Sequence, residues 1–185
     1  MAGTRGIVIA QIVRALQREF GPEGWQRILA GLDPEERRLV EGSILFTTRY
    51  PLALHMKLLD LPRQLYGGTR PQIAREIGRR VAEDSIHRVF RMFLRLGNPG
   101  FIVSRGPLIW KSYFDWGDLR IVANEPRSMR IALTSDEPTS TAFCESVCGW
   151  AEQAVTMSGG RNAWARETAC QSRGAPACLI ETTWD

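Results

Sequence analysis

Three thiols and one carboxylate near the C-terminus, Cys144, Glu167, Cys170 and Cys178, follow the spacing C-x22-E-x2-C-x7-C. Thiolate and carboxylate are metal donors, and zinc favours four-coordinate tetrahedral sets of this kind. Four protein donors leave no open position for a substrate water, so such a zinc would be structural. It would tie the segment bearing Cys144 to the one bearing the other three, and binding would contribute directly to folding. Cys148 lies one helical turn after Cys144 and competes for the fourth position or packs beside it. Two other readings stay open. Cys144 and Cys148 could form a thiol redox switch, and a free cysteine also packs well as a small hydrophobe.

Placing these donors together demands particular elements. The Thr139-Ser140-Thr141 cluster offers N-caps for a helix reaching Met157, with Phe143, Val147, Trp150, Ala151 and Ala154 as its apolar stripe. Strands are expected over 162–169 and 177–184, around a turn containing Gly174 and Pro176. Glu167 and Cys170 are three positions apart and would face opposite sides of a regular strand, so the strand must leave its ladder at Thr168 or Ala169. Before the helix, Leu119, Ile121 and Ala123 alternate, then Met129, Ile131 and Leu133, around the turn Glu125-Pro126-Arg127, which reads as a β-hairpin.

The part before residue 116 reads as helical. Ile9, Ile12, Val13 and Leu16 recur at helical spacing up to Gly21, and Pro22 opens a second helix with Trp25, Ile28 and Leu29. Asp33-Pro34-Glu35-Glu36 is a helix start. Further helices are expected over 50–65, 71–96 and 100–113, the 71–96 helix being stopped by Gly97-Asn98-Pro99-Gly100. The fold class is therefore α+β, a helical N-terminal half packed on a C-terminal antiparallel sheet of ββαββ order, in a single domain spanning 1–185.

Composition removes several function classes. With 185 residues the chain can bury roughly 70% of its unfolded surface. At 44% hydrophobic and 24% charged residues it is neither disordered nor low in complexity. The net charge is +4, but Arg75, Arg79 and Arg80 interleave with Glu76, Glu83 and Asp84, the pattern of a solvated helix face and not of a nucleic-acid stripe. Apolar runs are too short for a membrane span, and the N-terminus has no export signal, which places the chain in a reducing cytoplasm where stable disulfides are rare. Only His55 and His87 are present, with no convergent nucleophilic system, phosphate-cradling loop or dinucleotide fingerprint, so no enzymatic activity is expected.

A cysteine on a helix followed by Gly149-Trp150, the Gly159-Gly160 stop, and E-T-A-C-x7-C on a terminal hairpin resembles the vinyl-4-reductase domain superfamily. More narrowly, Gly21-Pro22-Glu23-Gly24, Arg49-Tyr50-Pro51-Leu52, Phe93-Leu94-Arg95-Leu96-Gly97-Asn98-Pro99 and Ile109-Trp110 before Tyr113 are similar to a myxobacterial family of like length. The superfamily includes ligand-sensing domains of phenol- and xylene-responsive activators, a bacteriochlorophyll-synthesis accessory protein and relatives of the TRAPP vesicle-tethering subunits. The resemblance implies that Cys144, Glu167, Cys170 and Cys178 hold zinc. It also implies a hydrophobic cavity between helices and sheet, for which Phe90, Phe93, Trp110, Tyr113, Phe114 and Trp116 are the lining candidates. Read from its own place in the longest helix near Phe90, His87 either hydrogen-bonds a ligand or is a satisfied core or surface group. Where the aromatic sensors carry aromatic residues this chain has Cys148 and Ala165, which argues against a phenol pocket. The leading expectation is a homodimeric sensor domain that binds a small hydrophobic or aromatic ligand, contains structural zinc and signals through a protein partner. The alternative is a TRAPP-like dimeric scaffold holding an acyl chain or no ligand.

Overall fold

Helix α1 (Gly6–Ala30) is kinked at Gly21, whose φ of +62° interrupts it. A residue without Cβ adopts this conformation at no steric cost, and Pro22 restarts the helix beyond it. The halves bury Ile9, Ile12 and Leu16, then Trp25, Ile28 and Leu29, in one core. Helix α2 (Pro34–Glu41) starts with a full capping box: the Asp33 carboxylate accepts from the backbone N–H groups of Glu35 and Glu36, and the Glu36 carboxylate accepts from that of Asp33. Helix α3 (Leu52–Tyr66) and helix α4 (Ile73–Val89) complete the first layer.

The computed structural model describes residues 2–89 and 99–185. The expected extension of α4 through 90–96 and its stop at 97–98 lie outside the described residues. The single helix expected over 100–113 is instead two, α5 (Pro99–Val103) and α6 (Gly106–Tyr113). Pro107 stands in the first turn of α6, where its missing N–H leaves no intrahelical hydrogen bond unmade and its fixed φ favours a new helix start. Ser104 closes the break, its hydroxyl donating to the Phe101 carbonyl.

Two three-residue strands, β1 (Gly3–Arg5) and β2 (Arg49–Pro51), pair antiparallel and bring the N-terminus onto the start of α3. Then follow β3 (Asp118–Glu125), β4 (Ser128–Thr134), α7 (Thr141–Met157), β5 (Trp164–Ala169), a 3-10 turn (Gln171–Arg173) and β6 (Cys178–Thr183). The four long strands form one antiparallel sheet in the spatial order β3-β4-β6-β5. The molecule is thus mixed α and β, with its helices concentrated in the N-terminal half and its main sheet in the C-terminal half. Among the described residues no helix is long and apolar enough to cross a membrane.

Helices α4 and α7 cross with their backbones touching. A Cβ on Gly78 would lie 1.9 Å from the Ser146 carbonyl oxygen, and one on Gly149 would lie 1.9 Å from that of Arg75. Any side chain at either position would force the helices apart. Their close crossing fixes one wall of a space between helices and sheet.

Candidate ligand cavity and thiol cluster

Between the helical layer and the sheet lies a cavity of about 140 Å³. Helix α1 contributes Val8, Gln11 and Ile12, α4 contributes Ile77 and Val81, and α7 contributes Phe143, Ser146 and Trp150. Of the sequence candidates, Trp110, Tyr113 and Phe114 line it. Trp116 does not. It stands behind the wall, edge-on to Trp110 at 4.9 Å and tilted on Phe143 at 5.4 Å, because its backbone carbonyl is held by the Trp110 indole N–H at 3.0 Å. Phe90 and Phe93 lie outside the described residues, as does the side chain of His87.

Sequence reasoning passed over two polar wall residues. His55 on α3 is buried, and its ring is stacked on Phe114 at 5.8 Å with Phe143 edge-on at 5.6 Å. Its Nδ1 is 3.0 Å from the hydroxyl of the fully buried Thr4. Burial alone pushes its pKa from 6.5 down to about 4, so the imidazole is neutral near neutral pH. Gln11 is 2% exposed, and its Oε1 has no hydrogen-bond partner. The signal for Gln11 was present as a lone amide inside the apolar run 7–13. For His55 there was none, since its burial depends on β1 and on Phe114, both distant in the chain.

The second constellation lies where α7 meets the β5–β6 hairpin. The register of β5 against β6 shifts between Glu167 and Ala169, so Thr168 bulges and Cys170 turns back beside Glu167. The donor atoms of Cys144, Glu167, Cys170 and Cys178 consequently all lie within 4.8 Å of one another. Cys144 and Cys170 are 3.8 Å apart at sulfur, and Cys170 and Cys178 are 3.9 Å apart. One Glu167 oxygen accepts from Arg173 at 2.7 Å, while the other is buried without a partner. A hydrogen bond from Cys144 draws the Cys178 thiol down towards thiolate, helped by the Gln171 backbone N–H, and the same contact holds the Cys144 thiol well above its ordinary range. Cys148 is not part of this group. It packs with Ala151, Ala165 and Ile180, and burial pushes its thiol up to about 12. All four cysteines are free thiols.

A third polar constellation was invisible in the sequence. Glu152 on α7, 3% exposed, accepts from Arg75, from Arg79 at 2.7 Å and from the Ala165 backbone N–H at 2.9 Å. Arg75 also donates to the Ala165 carbonyl at 2.8 Å. Two of the arginines that read as a solvated face therefore clamp α4, α7 and β5 together.

No protein-family model matches the chain. The bacteriochlorophyll synthase 23 kDa chain of Cereibacter sphaeroides is 27% identical, over 94% of this chain and 86% of that one. Among solved structures, an H-NOX protein from S. oneidensis in the Fe(II)NO ligation state has a TM-score of 0.73 at 12% identity, covering 98% of this chain and 99% of that one. The Fe(II) unliganded H-NOX protein from K. algicida has 0.70 at 10% identity, covering 98% and 96%. An oxygen-binding H-NOX domain related to soluble guanylate cyclases has 0.68 at 9%, covering 98% and 95%.

These likenesses correct two expectations. The arrangement of the whole chain is that of H-NOX domains, which replaces the vinyl-4-reductase and TRAPP-like fold, and the tethering-scaffold alternative loses its support with it. The expected structural zinc is also overturned. The metal in the neighbouring structures is iron, and the thiol cluster is a possible metal site whose ion nothing identifies.

Proposed function

We propose that the chain is a ligand-binding sensor domain: it encloses one small apolar or aromatic molecule between its helices and sheet and passes occupancy to a protein partner, without chemistry of its own. The cavity carries this reading. Its 140 Å³ is close to the roughly 150 Å³ of an engineered apolar cavity that holds benzene. The fold supports it, since NO- and oxygen-liganded proteins share it. Occupancy can be signalled only if the ligand prefers one conformation over another. Helices α4 and α7, which meet backbone to backbone, are the wall elements through which such a preference would be felt. The proposal includes the homodimer expected from the sequence.

One of the similar solved structures concerns haem and its redox potential, and the described wall does not fit that group. A cavity matched to a single six-membered ring is several-fold too small for a porphyrin. Trp110, Phe114 and Phe143 pack against one another where a macrocycle would have to lie. Among the described lining residues there is no arginine or lysine to meet the propionates, and the one histidine has its Nδ1 engaged with Thr4.

The test is thermal denaturation with benzene and toluene, alongside titration with hemin. At about 100 times Kd a ligand specific to the folded state stabilises by about 2.7 kcal/mol, so a clear rise in Tm is expected for the aromatics. Hemin is expected to give no stoichiometric Soret complex. A flat response to the aromatics, or a one-to-one haem complex, overturns the reading.

We propose as well that Cys144, Glu167, Cys170 and Cys178 form a metal-ion site joining α7 to the terminal hairpin. Their convergence and the unpartnered Glu167 oxygen support it. Elemental analysis of chelator-free protein is expected to find about one ion per chain, lost in Cys170→Ala. Metal-free protein of unchanged stability would refute it.

A further inference from the structure

We infer that the ligand of the cavity is an uncharged, ring-sized molecule that donates a hydrogen bond, and that Gln11 of α1 is the acceptor. The inference rests on the ligand-binding reading above and adds the chemistry of what is bound.

Gln11 belongs to the cavity wall between Val8 and Ile12 and is almost wholly buried, yet its Oε1 accepts no hydrogen bond. Leaving a buried amide oxygen unsatisfied costs about 1–3 kcal/mol, and native folds keep few such groups. Leucine would occupy the same place in α1 without that cost. An amide held there at the expense of stability is accounted for by a partner that arrives with the ligand. The two serine hydroxyls of the wall are already engaged: Ser85 donates to the Val81 carbonyl at 2.7 Å and Ser146 to that of Phe143 at 2.8 Å.

The wall also defines what the ligand is not. Its described residues include no Asp, Glu, Lys or Arg, and His55 is neutral near neutral pH. A carboxylate or ammonium brought into this space would be a buried charge without a counter-charge, which is strongly unfavourable. The volume admits about one six-membered ring. Neutral aromatic amines, ring N–H compounds and small hydroxylated rings satisfy all three conditions.

Aniline, toluene and pyridine separate the possibilities, since they share size but offer a donor, neither group, or an acceptor only. Dissociation constants are measured for the wild type and for Gln11→Leu, with Gln11→Met as a second apolar variant. The expected result is that both substitutions weaken aniline about tenfold while toluene is unchanged or tighter. The ligand-free Tm of the variants should not fall, because the substitution removes an unsatisfied group; a lowered Tm would mean that Gln11 serves the fold. Equal effects on aniline and toluene overturn the inference but leave the cavity reading intact. Weakening of pyridine instead of aniline overturns the donor assignment. Failure of all three probes to bind the wild type overturns this inference together with the proposed function.

Discussion

Glu152→Ala is expected to destabilise the fold by about 3–5 kcal/mol, the cost typical of removing one partner from a buried ionic network. The substitution strands the Arg75 guanidinium, whose side chain is only 18% exposed, and leaves the Ala165 backbone N–H without its acceptor. Both losses fall at the junction of α4, α7 and β5, where Gly78 and Gly149 have already brought the helix backbones into contact and little relaxation is available. Urea denaturation checks this. The control is Arg37→Ala, which breaks the exposed i,i+4 pair of Arg37 with Glu41 and should cost no more than about 0.5 kcal/mol. Exchanging both partners for apolar residues, Arg75→Met with Glu152→Leu, should recover much of the loss, since an uncompensated charge and not the missing attraction is the main penalty. If Glu152→Ala fell within 1 kcal/mol of the wild type, the clamp would not be holding the helix pair.

Acid should weaken the protein through His55. In the unfolded chain this imidazole takes a proton near pH 6.5, and in the folded protein only near pH 4. Between these values the unfolded state binds the proton and the folded state does not. Stability therefore falls as the pH is lowered from 6.5 to about 4, is untouched by this group above 6.5, and levels off below 4. The gap corresponds to about 3 kcal/mol at its full extent. The cause is desolvation, as the ring sits between Phe114 and Phe143 with Thr4 as its hydrogen-bond partner. His55→Phe suits that aromatic slot and removes the titration, so the variant should show a flatter stability profile across this window. Denaturation midpoints of the two proteins from pH 7.5 to 4 decide it, and identical slopes would refute the assigned burial.

Local chemistry was legible where its cause was local. Asp33 and the Thr139-Ser140-Thr141 cluster announce helix starts because a short oxygen-bearing side chain satisfies nearby N–H groups, and the structure puts the caps at Asp33 and Ser140. Gly21-Pro22 marked the bend in α1, and the conflict between the spacing of Glu167 and Cys170 and a regular strand marked the bulge at Thr168. The strands β1 and β2 were not legible, since three residues are too few to show alternation. Nor was the break between α5 and α6, although Pro107 was there to signal it.

By itself the sequence determined the α and β periodicities, the turns that punctuate them and a donor set of three thiols and a carboxylate, because each of these is encoded within a few residues or carried by residue type. Only the tertiary structure decided that Arg75 and Arg79 serve a buried carboxylate, that Trp116 backs the cavity while His55 and Gln11 line it, and that the whole has the arrangement of H-NOX domains. Those outcomes depend on the meeting of segments far apart in the chain. Burial, and with it the cost of an unpaired amide or charge, is a property of that meeting and not of any one segment.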